Sequence, residues 1–552
     1  MSTAPVLNNV GFRLKEIVEA HGDQTAIVEL TGTSSPARHR SIDFATLDRD
    51  SDRIAAGLRS LEIPAGGRLV LAVPPGIDFV TCVVAMLKAR LVMILIDPGM
   101  PREHLVECLS KAKPNGFIAP PNLQMIRWLM RRRFPHSRYH VVAGRSRWWG
   151  LPTLDAFRRN DQLRLPSEGG LLDDQAAIIF TTGSTGPPKG VRYDHRQFWQ
   201  QIDQIRDRFD LRAGEVDLAA FPLFGLFNCM MGTTTVFPAM DYTRPADADP
   251  DHIISVIRHW NVTRSFGSPA FWNTVASYCD RQDLSLAPLR DVYSAGAPVP
   301  VHVLRRLMPR LADGGNVWTP YGATEALPVA AISGREVLEQ TADWSSAGKG
   351  TCVGTRFDGI RWKVIEICDQ PIESFDQVRE VPRGTIGELI VQGDVVTREY
   401  VTRRESNALH KIRDGDRWWH RMGDVGYLDD RDRFWFCGRK SHRVVTSNGT
   451  LYTIPVEAIF NNHPRIFRSA LVGVGIPPNQ QPAVVVEPWP GKAPVDDEDW
   501  NRLREELLEL ARQHEHTRNI RRLLWRESLP TDIRHNAKIF REKLTKWVEQ
   551  QL

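Results

Sequence analysis

The amino-acid sequence predicts an α/β protein. It has a large N-terminal domain of largely parallel sheets with flanking helices and a small α+β C-terminal domain. Three observations carry this. Helical and strand periodicities alternate between residues 47 and 112. A wholly apolar run, Ala176-Ala177-Ile178-Ile179-Phe180, feeds a loop of Gly, Ser and Thr. Beyond residue 436 the alternation gives way to two short strand patterns and a helix.

Leu47, Ile54, Leu58 and Leu61 recur at helical spacing, and Gly66-Gly67 then opens a strand over 69–73. Residues 78–91 read as a helix, 92–97 as a strand ending at Asp97-Pro98, and 102–112 as a helix again. Strands alternating with helices imply βαβ units, hence a parallel sheet with helices on its faces. A boundary within 436–442 divides the chain into domains 1–437 and 438–552. In the second, 469–474 and 483–487 read as strands. A helix follows, led by Asp496-Asp497-Glu498-Asp499, whose acidic first turn suits the positive end of the helix dipole.

At 552 residues the chain is long enough for a large core and more than one domain. With 42% hydrophobic and 25% charged residues it is ordinary and globular, and a formal net charge of +5 is weak evidence for a polyanionic partner. Seven cysteines are scattered with no Cys-x-x-Cys pair, which argues against zinc and a disulfide framework. Residues 1–24 carry Lys15, Glu16, Glu19 and Asp23 and no apolar core, unlike a signal peptide. The most apolar region, 69–96, is broken by Pro74-Pro75-Gly76, Asp78, Lys88 and Arg90 and is not one membrane span. A soluble, cytoplasmic protein is expected.

The loop Thr181-Thr182-Gly183-Ser184-Thr185-Gly186-Pro187-Pro188-Lys189-Gly190, taken alone, reads either as a device for holding phosphates or as only a turn, since these residues dominate turns. Glycines let backbone N–H groups approach anionic oxygens, hydroxyls donate, and the Lys supplies a point charge. It is not a Walker A loop, because Gly190 stands where Mg²⁺ would need Ser or Thr.

The loop resembles that of the adenylate-forming superfamily: acyl-CoA synthetases, luciferases and peptide-synthetase adenylation domains. Tyr321-Gly322-Ala323-Thr324-Glu325 is similar to its Tyr-Gly-x-Thr-Glu. Met422-Gly423-Asp424 is similar to its Thr-Gly-Asp, with Met for Thr, and Gly438-Arg439 opens a segment like its hinge. Asn536-Ala537-Lys538-Ile539-Phe540-Arg541 is similar to its Ser-Gly-Lys-Ile-x-Arg. The resemblance implies ATP and Mg²⁺ as cofactors, a mobile C-terminal domain and a role for each motif residue. Residues 181–186 and Lys189 embrace the departing β- and γ-phosphates. Glu325 is the metal ligand and Thr324 donates to the α-phosphate. Asp424 binds the ribose hydroxyls, assisted by Arg439. Ser294-Ala295-Gly296-Ala297 is similar to the adenine-side loop. Lys538 is the catalytic lysine, bridging the attacking carboxylate and the α-phosphate. His195 is read as structural.

In Phe221-Pro222-Leu223-Phe224-Gly225-Leu226-Phe227, Gly225 stands where acyl-CoA synthetases often carry His, which implies more room near the acyl carbonyl. Phe224, Gly225, Phe227 and Met230 are the expected substrate pocket, with Met231 beside them. An alternative is that these residues are simply core. Arg534-His535-Asn536-Ala537-Lys538-Ile539 is similar to the version in the β-lactone synthetases of bacterial long-chain olefin biosynthesis. That implies adenylation of a long-chain 2-alkyl-3-hydroxy fatty acid, then attack of its own 3-hydroxyl to give a β-lactone, AMP and pyrophosphate. A long-chain acyl-CoA ligase, or an acyl-AMP ligase that loads a carrier protein, is the alternative. A non-catalytic nucleotide-binding regulator is a remoter one. A complex with other olefin-pathway enzymes belongs to the same expectation.

One segment stands apart. From Cys108 to Thr153 there is no Asp or Glu, while Arg127, Arg131, Arg132, Arg133, Arg138, Arg145 and Arg147 cluster with Trp128, Trp148 and Trp149. It reads either as a solvated basic face or, over 125–149, as a surface for anionic lipid headgroups or an acidic protein. No base-reading fold accompanies it, so nucleic acid is not expected.

Overall fold

The computed structural model describes residues 9–33, 38–97, 99–145, 150–162, 165, 170–181, 187–531 and 538–551. The alternating segment forms a six-stranded sheet in the order 139–142, 116–119, 68–71, 92–95, 175–180, 190–194. All its pairs are parallel except the last, Gln175–Phe180 against Gly190–Asp194. The expected helices appear as Phe44–Ser60, Ile77–Lys88 and Arg102–Lys111. Ile77–Lys88 is buried on nearly every side. Lys88, which interrupts its apolar run, is itself buried and meets Asp48 at 2.5 Å and Asp52 at 2.7 Å. A buried ammonium is tolerable only with such partners. Among the described residues no helix is long and apolar enough to cross a membrane.

A second sheet of fourteen strands changes character midway. Thr25–Leu30, Thr234–Phe237, Val216–Ala219, Arg264–Gly267, Asp291–Ser294 and Asn316–Ala323 run parallel in that spatial order. Helices Pro250–His259, Pro269–Gln282 and Val301–Leu307 return the chain between successive strands. From Ala326–Ser333 onward the strands are antiparallel, through Thr351–Arg356, Arg433–Arg439, Arg417–Leu428, Gly387–Gln392 and Arg361–Ile365. Connections such as Ala323 to Ala326 and Leu428 to Arg433 are too short for a crossover, so those strands must turn back on their neighbours. The parallel reading therefore describes the part of the chain where helices separate strands, and not the antiparallel half.

From Val444 on, the chain builds a two-stranded ribbon, Val444–Thr446 with Gly449–Leu451, and a three-stranded sheet, Ile466–Val474, Gln481–Pro488 and Arg522–Trp525. Helix Asp497–Arg512 packs on it, with Asp496 capping its start by accepting from Asp499 N at 2.8 Å. The expected division at 437/438 falls inside strand Arg433–Arg439, where Gly438 still pairs with Val425 and Arg439 with Asp424.

Candidate active site

Thr324 and Glu325 are the two-residue tip of the hairpin joining Asn316–Ala323 to Ala326–Ser333. The approach is tight. A Cβ on Gly322 would lie 2.6 Å from the Ala326 carbonyl oxygen, so only glycine fits there. The tip is held by its backbone. Tyr193 donates its hydroxyl to the Thr324 carbonyl at 2.6 Å, and Thr397 donates N–H and hydroxyl to the Glu325 carbonyl, each at 2.9 Å. The side chains of Thr324 and Glu325 are thereby directed from a rigid base.

Asp424 sits opposite Arg439 in the antiparallel pair of Arg417–Leu428 and Arg433–Arg439. Its Oδ1 accepts from Arg439 Nη1 at 2.6 Å and its Oδ2 from the Tyr321 hydroxyl at 2.5 Å. The carboxylate raises the Arg439 pKa, while burial and the same carboxylate push the Tyr321 phenol well above its ordinary value. Met422, the departure from Thr-Gly-Asp, is buried among apolar neighbours and offers only its carbonyl, to Arg439 Nη1 at 3.3 Å.

Lys189 closes the predicted phosphate loop. Its N–H donates to Thr181 Oγ1 at 3.1 Å, and Thr181 N–H donates to the Lys189 carbonyl at 3.0 Å. The loop is therefore the connection of an antiparallel hairpin. A Walker A loop instead leads from a strand into a helix. Thr182, Gly183, Ser184, Thr185 and Gly186 lie outside the described residues, as do Arg534, His535, Asn536 and Ala537.

Around Lys189 is a group the sequence reading missed. Its Nζ lies 3.0 Å from His410 Nε2 and 4.9 Å from the centre of the Tyr400 ring. Tyr400 donates its hydroxyl to Glu325 Oε1 at 2.7 Å. Lys411 contacts the same ring at 5.7 Å and is bonded to Thr397. Burial lowers the Lys189 pKa and brings Lys411 to about 7. Burial and then Lys189 bring His410 to about 3, and burial carries His420 well below its ordinary range. So His410 is neutral and accepts a hydrogen bond from the Lys189 ammonium.

One cavity of about 1810 Å³ gathers these groups: Lys189, Thr324, Glu325, Asp424, Arg439 and Lys538 all line it. Ser294, which ends strand Asp291–Ser294, and Ala295, Gly296 and Ala297 after it line the cavity as well, and so do Tyr321 and Gly322. Its apolar wall includes Phe198, Ile202, Phe224, Phe227 and Met231. Phe224 stacks on Phe266 at 3.8 Å.

Two residues expected in the pocket lie off the cavity wall. Gly225 is not part of the wall: a Cβ there would meet Ala219 Cβ at 3.1 Å and Thr235 Cγ2 at 3.3 Å, on the sheet side. The missing side chain therefore opens no space at the cavity. Met230 is 2% exposed and packs in the core, while its neighbour Met231 faces the cavity. His195 is fully buried with neither ring nitrogen hydrogen-bonded among the described residues, and burial lowers its pKa to about 4.

Glu325 offers one carboxylate, and among the described residues no three His, Cys, Asp or Glu side chains converge on a metal position. A lone carboxylate suits Mg²⁺ held jointly with phosphate oxygens and does not suit an all-protein cage.

Opposed charges and an extended apolar wall thus line the same cavity. The chain belongs to the family of AMP-binding enzymes, adenylate-forming ligases, whose family model matches residues 14–401. It is 42% identical over 553 residues to an olefin beta-lactone synthetase of Xanthomonas campestris pv. campestris, covering 99% of this chain and 98% of that protein. It is 41% identical over 559 residues to one of Stenotrophomonas maltophilia, covering 99% and 98%. Among solved structures, ATP-bound MatB from Rhodopseudomonas palustris has the same fold, with TM-score 0.77 at 19% identity over 99% of this chain and 100% of that one.

Proposed function

We propose that the protein adenylates a long-chain 2-alkyl-3-hydroxy acid with ATP and closes the adenylate to a β-lactone. The observation that carries this is the single cavity in which the Lys189–Glu325–Asp424–Lys538 group and an extended apolar wall meet. The full-length identity to olefin beta-lactone synthetases supports the choice of acid and acceptor.

Carboxylate and triphosphate are both anionic, so the first step needs charge neutralised and the reactants held in line. Lys189, fixed by His410, takes the β- and γ-phosphates. Asp424, fixed by Tyr321 and Arg439, accepts from the ribose hydroxyls, and residues 294–297 bound the adenine. Thr324 donates to the α-phosphate, and Lys538 bridges it and the acid. Glu325, oriented by Tyr400, would hold Mg²⁺ against the phosphates. When bound, the metal neutralises phosphate charge. The carboxylate oxygen then bonds to the α-phosphorus as the bond to pyrophosphate breaks. In the second step the 3-hydroxyl oxygen bonds to the acyl carbonyl carbon, its proton passes to water, and the bond from that carbon to the phosphate oxygen breaks as AMP leaves. An attached nucleophile gains an effective molarity of about 10⁵ M or more, which offsets ring strain. The part beyond residue 438 is taken to turn about Lys440–His442 between steps. Lys440 there meets Glu388 at 3.0 Å.

The test is product analysis with ATP, Mg²⁺ and a 2-alkyl-3-hydroxy acid, with and without CoA. AMP and a β-lactone should form in both. A thioester formed only with CoA, and no lactone, would make the protein an acyl-CoA ligase.

A further inference from the structure

Helix Pro121–Leu129 carries its apolar side chains outward. Met125, Ile126, Trp128 and Leu129 are 49%, 48%, 46% and 64% exposed, while the one buried side chain of the helix is Gln124. Gln124 donates through Nε2 to the Val141 carbonyl at 2.9 Å and accepts from Arg127 Nε at 2.9 Å. Arg127 Nη1 meets His140 Nε2 at 3.0 Å. Polar contacts thus pin the helix to the sheet, where a surface helix is ordinarily pinned by its apolar stripe. Contiguous exposed apolar surface of this kind marks a contact site.

Two further observations say what it contacts. The helix runs into the exposed turn Arg131–Arg133, in a stretch from Cys108 to Thr153 without an acidic residue. Leu123, Ile126 and Met130 are also part of the cavity wall. Met125, Trp128 and Leu129 share one side of the helix at i, i+3 and i+4, and Ile126 widens that side to an arc of roughly 160°, broader than the stripe a protein groove reads. A broad apolar face rimmed by arginines fits the headgroup–acyl boundary of an anionic bilayer.

We propose that helix Pro121–Leu129 seats on an anionic lipid surface and forms the portal through which alkyl chains pass from lipid into the cavity. This rests on the long-chain substrate reading above. The arginines face headgroup phosphates, the outer side chains enter the acyl region, and Leu123, Ile126 and Met130 continue that apolar path inward.

The test compares wild type with two full-length variants, Arg131→Ser/Arg132→Ser/Arg133→Ser and Met125→Ser/Trp128→Ser/Leu129→Ser, none of whose positions lines the cavity. Sedimentation with phosphatidylglycerol or phosphatidylcholine vesicles is read at low salt, where surface charge is least screened. Wild type should bind the anionic vesicles. Each basic side chain near such a surface is worth roughly a factor of five, so the arginine variant should bind about a hundredfold more weakly. The apolar variant should lose at least about tenfold. AMP release from a short, soluble 2-alkyl-3-hydroxy acid should be unchanged in both, while turnover of a vesicle-borne long-chain acid should fall with binding. Wild type that ignores anionic vesicles, or variants that bind them as wild type does, overturn the proposal and return the face to a protein partner or to solvent. Variants that lose binding but keep vesicle-borne turnover overturn the portal. Failure of wild type on the soluble acid strikes the substrate reading instead, and leaves the vesicle measurement standing.

Discussion

Lys189 and His410, 221 residues apart in sequence, meet at 3.0 Å between Nζ and Nε2. The imidazole, held neutral by burial and by the lysine, gives the ammonium an acceptor on its protein side. Two of the ammonium's remaining hydrogens can then serve a phosphate. His410→Leu should raise the KM for ATP roughly tenfold, about the worth of one hydrogen bond to a charged group. His410→Gln, whose amide oxygen also accepts, should recover most of it. A KM unchanged in His410→Leu would leave His410 a packing residue.

Asp424 is the shared acceptor of Tyr321 and Arg439. Ribose hydroxyls change little during reaction, so Asp424→Ala should raise the KM for ATP more than it lowers kcat. It should also cost about 1 kcal/mol of stability, because two half-buried donors lose their partner. A collapsed kcat with unchanged KM would place Asp424 in the chemistry.

Gly225→Ala separates packing from gating. The new methyl would press on Ala219 and Thr235 at 3.1 and 3.3 Å, so it should destabilise by about 1 kcal/mol. The KM for the acid should stay within about twofold, since each factor of two is under 0.5 kcal/mol. A raised acid KM with an unchanged denaturation midpoint would restore Gly225 as a gate.

Acid should destabilise the fold through its buried and half-buried histidines. Burial lowers the pKa of His140 and His195 to about 4, and of His410 and His442 to about 3. Unfolded, each takes up its proton near about pH 6.5. Above that value both states are neutral and stability is full. As pH falls through it, the unfolded chain gains protons that the native one refuses, and stability is lost toward pH 4–3. His195→Leu removes one such group, so the stability lost between pH 7 and 5 should shrink by about 1–2 kcal/mol in urea titrations. An unchanged loss would mean that His195 is protonated in the native state.

What the sequence discloses is what lies in one contiguous stretch. Thr324-Glu325 at a hairpin tip and Asp424 opposite Arg439 are motif residues, and the geometry that orients them is local. Tyr400, His410, Lys411 and His420 have no telling spacing. They come to Lys189 and Glu325 where Tyr400 forms an isolated bridge with Val191 of strand Gly190–Asp194. The one signal was a cluster of basic side chains just before Asp424. The surroundings of Gly225 are not legible in the sequence, because a motif says which side chain is missing and not where its Cβ would point. The antiparallel half of the large sheet escaped notice because its strands lack intervening helices to mark their period.

The acceptor is tested by removing it from the substrate. On the proposed mechanism, a 2-alkyl acid without the 3-hydroxyl keeps the carboxylate that Lys538 is to meet and the chains that the apolar wall is to hold, so adenylation should proceed. Closure cannot, because the oxygen that would attack the carbonyl is gone. One equivalent of pyrophosphate should therefore appear per enzyme, with AMP following only as water hydrolyses the trapped adenylate. Water lacks the effective molarity of about 10⁵ M that an attached hydroxyl commands, so steady AMP release should fall by orders of magnitude against the hydroxy acid. Added CoA should not restore it. Rapid conversion of the 3-deoxy acid to a thioester would show that the carbonyl is built to meet an external thiol, and the lactone reading would be lost while adenylation stood.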